Sequence, residues 1–213
     1  MASNRGKSRE LRIIAGRWRG RRLRFPAGAD IRPTPDRVRE TLFNWLAPHL
    51  NGARVLDLFA GSGALGLEAL SRGAAKTVFV DADPRVVAAL RDVFAEWGVP
   101  TDAATALRVD AARMLDGPAE RSAAPFDLVF IDPPFAAGLW QSVAGRLERG
   151  GWLAPQAFIY LEAPAGTALD GLPSGWTPWR SGKAGEVGYH LFRRGPVPDA
   201  AAGENAGTGD QPT

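Results

Sequence analysis

Arg54-Val-Leu-Asp57-Leu-Phe-Ala-Gly61-Ser-Gly63-Ala-Leu-Gly66 reads as a short apolar strand, a glycine turn and the opening of a helix over Leu65–Arg72. The next strand, Thr77–Val80, closes at Asp81, twenty residues after Gly61. This is the opening of a doubly wound parallel sheet, in which ligands bind outside the carboxyl ends of the strands. The glycines let backbone approach a ligand closely, and Asp81 can accept from both hydroxyls of a ribose. The spacing alone also fits a nicotinamide-dependent dehydrogenase. Asp57 separates the two readings. A carboxylate four residues before Gly61 is poorly placed for a dianionic pyrophosphate. It is well placed for an ammonium and a sulfonium, which S-adenosylmethionine carries.

A second strand end sharpens the reading. The apolar run Phe126–Ile131 reads as a buried strand, broken abruptly by Asp132-Pro133-Pro134-Phe135. The tetrapeptide offers a carboxylate, a carbonyl on Asp132 with no competing N–H next to it, and an aromatic face. These groups suit a planar base with an exocyclic amine: oxygens accept from the NH2 while Phe135 stacks on the ring. The two prolines stiffen the loop before substrate arrives. Taken alone, the same residues also describe a proline-bounded strand end with a core phenylalanine. A third strand, Ala104–Val109, ends at Asp110-Ala111 before the short helix Ala112–Leu115. Asp110 can accept from an adenine amine, and Ala111 leaves its N–H for a ring nitrogen. An N-cap role for Asp110 fits equally, and both can hold at once.

The remaining pattern completes a sheet. Helices are expected at Val86–Trp97 and Leu139–Arg149, and a fifth strand at Phe158–Glu162. A closing pair, Trp176–Arg180 and Glu186–Phe192, flanks a turn at Ser181–Gly185. Strands alternating with helices imply a Rossmann-like, mostly parallel seven-stranded sheet with an antiparallel edge strand. Thr34 is a good N-cap, Pro35 suits the first helical position and Asp36 favours the positive end of a helix. Val38, Leu42, Trp45 and Leu46 then recur at helical spacing. Arg32, Arg37 and Arg39 fall at the rim of the donor pocket, with solvent exposure or pairing to Glu40 as the plainer fate of the last two.

Composition fits one intracellular domain: 213 residues, 45% apolar, no cysteine and two distant histidines. A disulfide framework, thiolate chemistry and a cysteine zinc site are thereby excluded, and no metal is expected. No apolar run approaches a membrane span and no signal peptide is visible, so the expected location is the cytoplasm. The net charge of +3 hides an asymmetry. Residues 1–24 carry nine Arg or Lys against one acid, Glu10, whereas the stretch from Gly195 onward holds three acids and no base. That last stretch reads as a disordered tail over 195–213, and residues 1–10 as a basic disordered arm. Between them and the catalytic domain (34–194), residues 11–33 form a basic extension. Leu11–Ala15 and Leu23–Phe25 flank the turn Gly16–Gly20, as in a hairpin that projects Arg12, Arg17, Arg19, Arg21 and Arg22 together with Trp18. Such a hairpin pairs phosphate contacts with a stacking surface; a merely solvated arm is the alternative.

The order D-L-F-A-G-S-G, V-D-A-D, R-V-D-A and D-P-P-F resembles class I S-adenosylmethionine-dependent methyltransferases that modify exocyclic amines. Three narrower markers are Arg12-Ile-Ile-Ala-Gly-Arg-Trp-Arg-Gly-Arg-Arg-Leu, Ile31-Arg-Pro-Thr-Pro-Asp-Arg-Val-Arg-Glu-Thr-Leu-Phe-Asn-Trp45 and Lys183-Ala-Gly-Glu-Val-Gly-Tyr-His190. With these the chain, from about Leu11 to Arg194, resembles the bacterial RsmD family of small-subunit ribosomal RNA guanine-N2 methyltransferases. The resemblance implies donor contacts at Asp57, Phe59, Gly61, Ser62, Gly63, Asp81, Asp110, Ala111 and Asp132. It implies acceptor contacts along Asp132–Phe135, RNA contacts on the arginines of the extension, Trp18 and Arg32, and S-adenosylmethionine as cofactor. The implied partner is 16S ribosomal RNA, within the small subunit or an assembly intermediate, and the implied state is a monomer. An adenine-N6 methyltransferase of DNA or RNA remains the nearest alternative, since D-P-P-F does not distinguish the two amines. A dehydrogenase is disfavoured by Asp57 and by D-P-P-F, and a non-catalytic RNA-binding protein by the presence of both donor and acceptor elements.

Overall fold

The central strands are short, apolar and closely matched in length, and their alternation dictates the architecture. The computed structural model describes residues 10–24, 34–119, 125–133 and 139–196. Strands β3 (Arg54–Asp57), β4 (Lys76–Asp81), β5 (Ala104–Arg108), β6 (Phe126–Ile131), β7 (Leu153–Pro164), β8 (Trp176–Ala184) and β9 (Val187–Arg194) form one sheet. Its order is β5-β4-β3-β6-β7-β9-β8. The first five run parallel, and β9 lies antiparallel between β7 and the edge strand β8.

Successive side chains of a strand point to opposite faces, and here the two sets enter two separate apolar layers. Val55, Phe79, Leu128, Phe130 and Tyr160 enter the first, which α1 (Asp36–Leu46), α2 (Ala64–Ser71) and α3 (Pro84–Trp97) cover. Leu56, Val78, Val129, Ile131 and Ile159 enter the second, beneath α4 (Ala111–Leu115) and α5 (Leu139–Arg149). Each such side chain, fully buried, contributes about 1.5–3 kcal/mol. The two-faced burial explains why these strands read as continuous apolar runs.

A two-stranded hairpin, β1 (Glu10–Arg12) and β2 (Arg22–Arg24), docks on the first layer, to which Ile13, Trp18 and Leu23 belong. Its first strand is shorter than Leu11–Ala15 suggests, because Ile14 and Ala15 give their N–H groups to Glu68 of α2. Phe25 and the boundary at Pro33 lie outside the described residues, as do the arm before Glu10 and the tail from 197 onward.

Three further expectations are corrected. Ser181–Gly185 is no loop: β8 runs on to Ala184 by pairing with β9, and the turn tightens onto Gly185 and Glu186. Pro35, not Thr34, occupies the cap of α1, and no side chain caps that helix. Arg39 is neither on a rim nor in solvent. It is fully buried, donating to the Arg12 carbonyl at 3.0 Å and to Asp36 at 2.6 Å rather than to Glu40. Among the described residues no helix is long and apolar enough to cross a membrane.

Candidate active site

Strand parity assembles the site. Leu56, Ile131 and Leu161 all point into the second layer, so the residues that follow them, Asp57, Asp132 and Glu162, emerge on the first. Asp57 is level with Phe130 and Ile131 with Leu161, which brings the three acids to neighbouring positions on one face of the carboxyl edge. The turn after β3 and the start of α1 border the same edge.

The donor half is built around Asp57 and Asp81. Gly63 caps α2, and Gly66 in its first turn donates its N–H to Asp57 Oδ2 at 3.0 Å. Only glycine fits there: a Cβ on Gly66 would lie 2.3 Å from the Phe79 ring and 3.0 Å from the Asp57 carboxylate. Asp57 is almost fully buried, and burial pushes its carboxyl up to about 7. The Gly66 N–H pulls in the opposite direction, while the nearby Asp81 carboxylate adds to the rise. Asp81 accepts from the Gly61 N–H at 3.0 Å and the Asp83 N–H at 2.8 Å, one on each oxygen. Each oxygen keeps a second lone pair for a ribose hydroxyl. Phe59 and Ser62 line the turn, half-buried, with Ser62 Oγ accepting from Ala64. Asp110 is exposed and caps α4, accepting the Arg113 N–H at 3.0 Å, and the buried Ala111 opens that helix. The capping role is thus present, and it leaves lone pairs for a ligand amine.

These residues fit S-adenosylmethionine. A buried carboxylate answered by one backbone N–H and crowded by a second acid is relieved when a cation comes beside it. A phosphate there would be repelled.

The acceptor half gathers at Asp132, which keeps part of its surface open although protein surrounds it on most sides; Pro133 is buried beside it. Burial holds the Asp132 carboxyl well above the usual range, the Glu162 and Asp57 carboxylates raise it further, and a hydrogen bond from Thr34 opposes them. Glu162 is 6% exposed and accepts from the Thr34 hydroxyl at 2.8 Å and the Tyr160 hydroxyl at 2.7 Å. The Thr34 hydroxyl therefore serves Glu162 instead of capping α1. Sequence reasoning did not place Thr34, Tyr160 or Glu162 in the site. Glu162 carried the signal, since it is a lone acid ending an apolar run, as Asp57 and Asp132 are. Pro134, Phe135 and Arg32 lie outside the described residues.

The hairpin is fastened to α2 by a buried acid. Glu68 accepts from the Ile14 N–H at 2.8 Å, the Ala15 N–H at 3.0 Å and Arg72 at 2.7 Å, with Arg39 at 3.7 Å. Ser71 strengthens the join: its carbonyl accepts from Arg17, and its hydroxyl accepts from the Trp18 N–H and donates to the Ala15 carbonyl. Gly16 at φ +82° permits this approach, as a Cβ there would overlap the Ser71 carbonyl. The expected stacking face on Trp18 is corrected: its indole is 5% exposed and packs on Trp97 at 5.8 Å. Arg12 pairs with Asp36 and Arg22 with Glu10. Arg17, Arg19 and Arg21 are exposed and have no carboxylate partner among the described residues. A groove of about 570 Å³ runs between the hairpin and α3, lined by Arg21, Arg22, Arg24, Asp92, Glu96 and Trp97.

Comparison with known proteins agrees with this geometry. The family profile described as "Conserved hypothetical protein 95" matches residues 11–193. Ribosomal RNA small subunit methyltransferase D of Escherichia coli is 43% identical over 195 residues, covering 90% of this chain and 93% of that protein. The enzyme of the same name from Haemophilus influenzae is 40% identical, covering 86% and 94%. A solved structure described as a putative methyltransferase, yhhF, from Escherichia coli superposes with a TM-score of 0.78 at 44% identity, over 87% of this chain and 98% of that one. The match extends from the hairpin through the last strand, and on that basis the chain belongs to the ribosomal RNA small subunit methyltransferase D family.

Proposed function

We propose that this chain is an S-adenosylmethionine-dependent methyltransferase of ribosomal RNA. Its target, on this reading, is the exocyclic N2 amine of a guanine in the 16S RNA of the small subunit or an assembly intermediate. The observation that carries it is the joint placement of Asp57 and Asp132 on one face of the carboxyl edge, a cation site beside an amine-acceptor site. The names of the relatives supply the substrate class.

S-adenosylmethionine, when bound, supplies an electrophilic methyl on sulfur. Asp57 offsets its positive charge, and Asp81 fixes its orientation through the ribose. Asp132 does the work on the acceptor. An exocyclic guanine amine is a weak nucleophile because its lone pair is delocalised into the ring. The Asp132 carboxylate and backbone carbonyl can each accept one amine proton, aligning the nitrogen and offsetting the positive charge that grows on it. Its raised pKa makes it a better proton acceptor than an ordinary carboxylate, so the proton lost from nitrogen passes to it or to water after attack. The target base must leave its stack to reach this edge, with Phe135 as the proposed replacement stacking surface. Arg17, Arg19 and Arg21 hold the RNA by its phosphates, and the reaction belongs to the cytoplasm.

The test is transfer of a labelled methyl group from S-adenosylmethionine to purified 16S RNA and to small subunits, alongside calorimetry of donor binding. Label in RNA and S-adenosylmethionine binding are expected. Binding of NAD with none of S-adenosylmethionine would overturn the reading.

A further inference from the structure

Three elements meet at one buried ion cluster that the mechanism above does not use. Glu68 of α2 and Arg39 of α1 are both fully buried, and the hairpin adds the Arg12 carbonyl and the N–H groups of Ile14 and Ala15. Ile14 donates to Oε2 of Glu68 and Ala15 to Oε1, so two successive N–H groups occupy both oxygens. Arg39 stands 3.7 Å from Oε2, and Arg72, which donates to Oε1 at 2.7 Å, lies over the Phe43 ring of α1 at 5.1 Å. Directional contacts of this kind fix one arrangement, where apolar surfaces alone could slide. The hairpin needs such an anchor, because two strands of three residues each hold no position by themselves. Both helices of the cluster also reach the site. Gly66, shortly before Glu68, holds Asp57 through its N–H, and Thr34, just ahead of α1, donates to Glu162.

We propose that Glu68 is a positioning residue for methyl transfer: acting through Ile14 and Ala15, it sets where the hairpin arginines hold the RNA relative to Asp57 and Asp132. The proposal rests on the reading of this chain as an RNA methyltransferase. Arg17 and Arg19 follow directly on the clasp, and the Arg17 N–H is itself pinned to the Ser71 carbonyl at 2.7 Å. Phosphates gripped by these exposed side chains are therefore referenced to α2, the helix whose first turn fixes the donor half. Methyl transfer tolerates little error between nitrogen and carbon: a misplacement of about 1 Å can cost about a hundredfold in rate. A hairpin that kept its arginines but lost the clasp would still neutralise phosphates. It would present the target base in many places, most of them unproductive. The clasp thus belongs to turnover and the arginines to affinity.

The experiment opens the clasp in two independent ways in the full chain and reads kcat at saturating small-subunit RNA. Glu68→Gln sets an amide donor where a backbone N–H needs an acceptor. It also removes the charge opposite Arg39, so its folding is checked by circular dichroism. Gly16→Ala leaves every charge in place, but its Cβ would fall 1.8 Å from the Ser71 carbonyl oxygen, and with φ at +82° the hairpin must lift. Both variants are expected to lose about tenfold to a hundredfold in kcat. Their S-adenosylmethionine affinity by calorimetry and the salt slope of their RNA binding should stay unchanged. Charge reversal at Arg17 and Arg19 should do the opposite, raising KM and flattening the slope. Should Glu68→Gln fail to fold, Gly16→Ala decides alone. Wild-type kcat in Gly16→Ala would overturn the proposal. So would a kcat loss matched by an equal loss of donor affinity, which would make the clasp merely structural. An effect confined to KM would make it part of the grip and overturn the proposal too. If the wild-type protein puts no methyl on RNA, the function proposed above fails together with this inference. If it does and the variants keep its kcat, this inference alone fails.

Discussion

The two halves of the site hold their acids in opposite ways. Asp57 and Asp81 are answered by backbone N–H groups of Gly66, Gly61 and Asp83, donors fixed by the turn and the first turn of α2. Glu162 accepts from the hydroxyls of Thr34 and Tyr160, and its carboxylate crowds Asp132. Backbone donors cost no reorganisation, so the donor half is complete before any RNA arrives. The acceptor half rests on side chains, and the Asp132 carboxyl there is held well above its usual range by burial and by neighbouring acids. Binding and chemistry should therefore separate by mutation.

The widest separation is expected at Asp132. Asp132→Asn removes the charge that aligns the amine and should slow turnover by at least about a hundredfold, the scale of one positioned catalytic group. Donor affinity, measured by calorimetry, should stay within about twofold. A matching loss of both would show that the halves are one unit. Asp81→Ala should do the reverse, weakening donor binding by roughly tenfold to a hundredfold as charge-assisted hydrogen bonds disappear. RNA affinity in a filter-binding assay should not move.

Asp57 gives the comparison a pH axis. Its folded carboxyl titrates near 7 against an ordinary value of 3.8. The unfolded chain therefore ionises first, and the stability contribution of this residue is lost as pH rises between those values. A cationic donor needs the ionised form, so affinity should rise by about tenfold from pH 6 to pH 8. Asp57→Asn should bind more weakly, with that dependence flattened, and its Tm should fall less over the same range. A wild-type donor affinity independent of pH would remove Asp57 from the cation site.

How much of this could be read from the chain differs by region for physical reasons. The central strands were legible because both their faces are buried, which makes each a continuous apolar run ended by an acid. Asp57, Asp81 and Asp132 were found on that signal. Glu162 bears the same signal, but no known motif surrounds it. Thr34 was misread because an N-cap preference is a local rule, and here a carboxylate 128 residues away takes the hydroxyl instead. Trp18 was misread as a stacking face because exposure depends on where the hairpin docks. That is decided by Glu68 and Ser71, more than fifty residues further along the chain. Turn-rich composition at Ser181–Gly185 gave way to pairing with β9, a tertiary override of local preference.

The smallest effect concerns the hairpin, where the comparison extends from the site to its surroundings. Charge reversal at Arg17, Arg19 and Arg21 should leave donor affinity unchanged while weakening RNA binding. Every phosphate no longer neutralised should take about 0.7–0.9 from the log–log salt slope. Parallel slopes for the variant and wild type would leave these arginines as a solvated surface.

The account as a whole turns on which atom receives the methyl group. Small-subunit RNA methylated by the wild-type chain with labelled S-adenosylmethionine can be digested to nucleosides and resolved by mass spectrometry. The account predicts a single labelled product, N2-methylguanosine, absent when Asp132→Asn replaces the wild type. Label in N6-methyladenosine, or N2-methylguanosine formed equally well by Asp132→Asn, would contradict it.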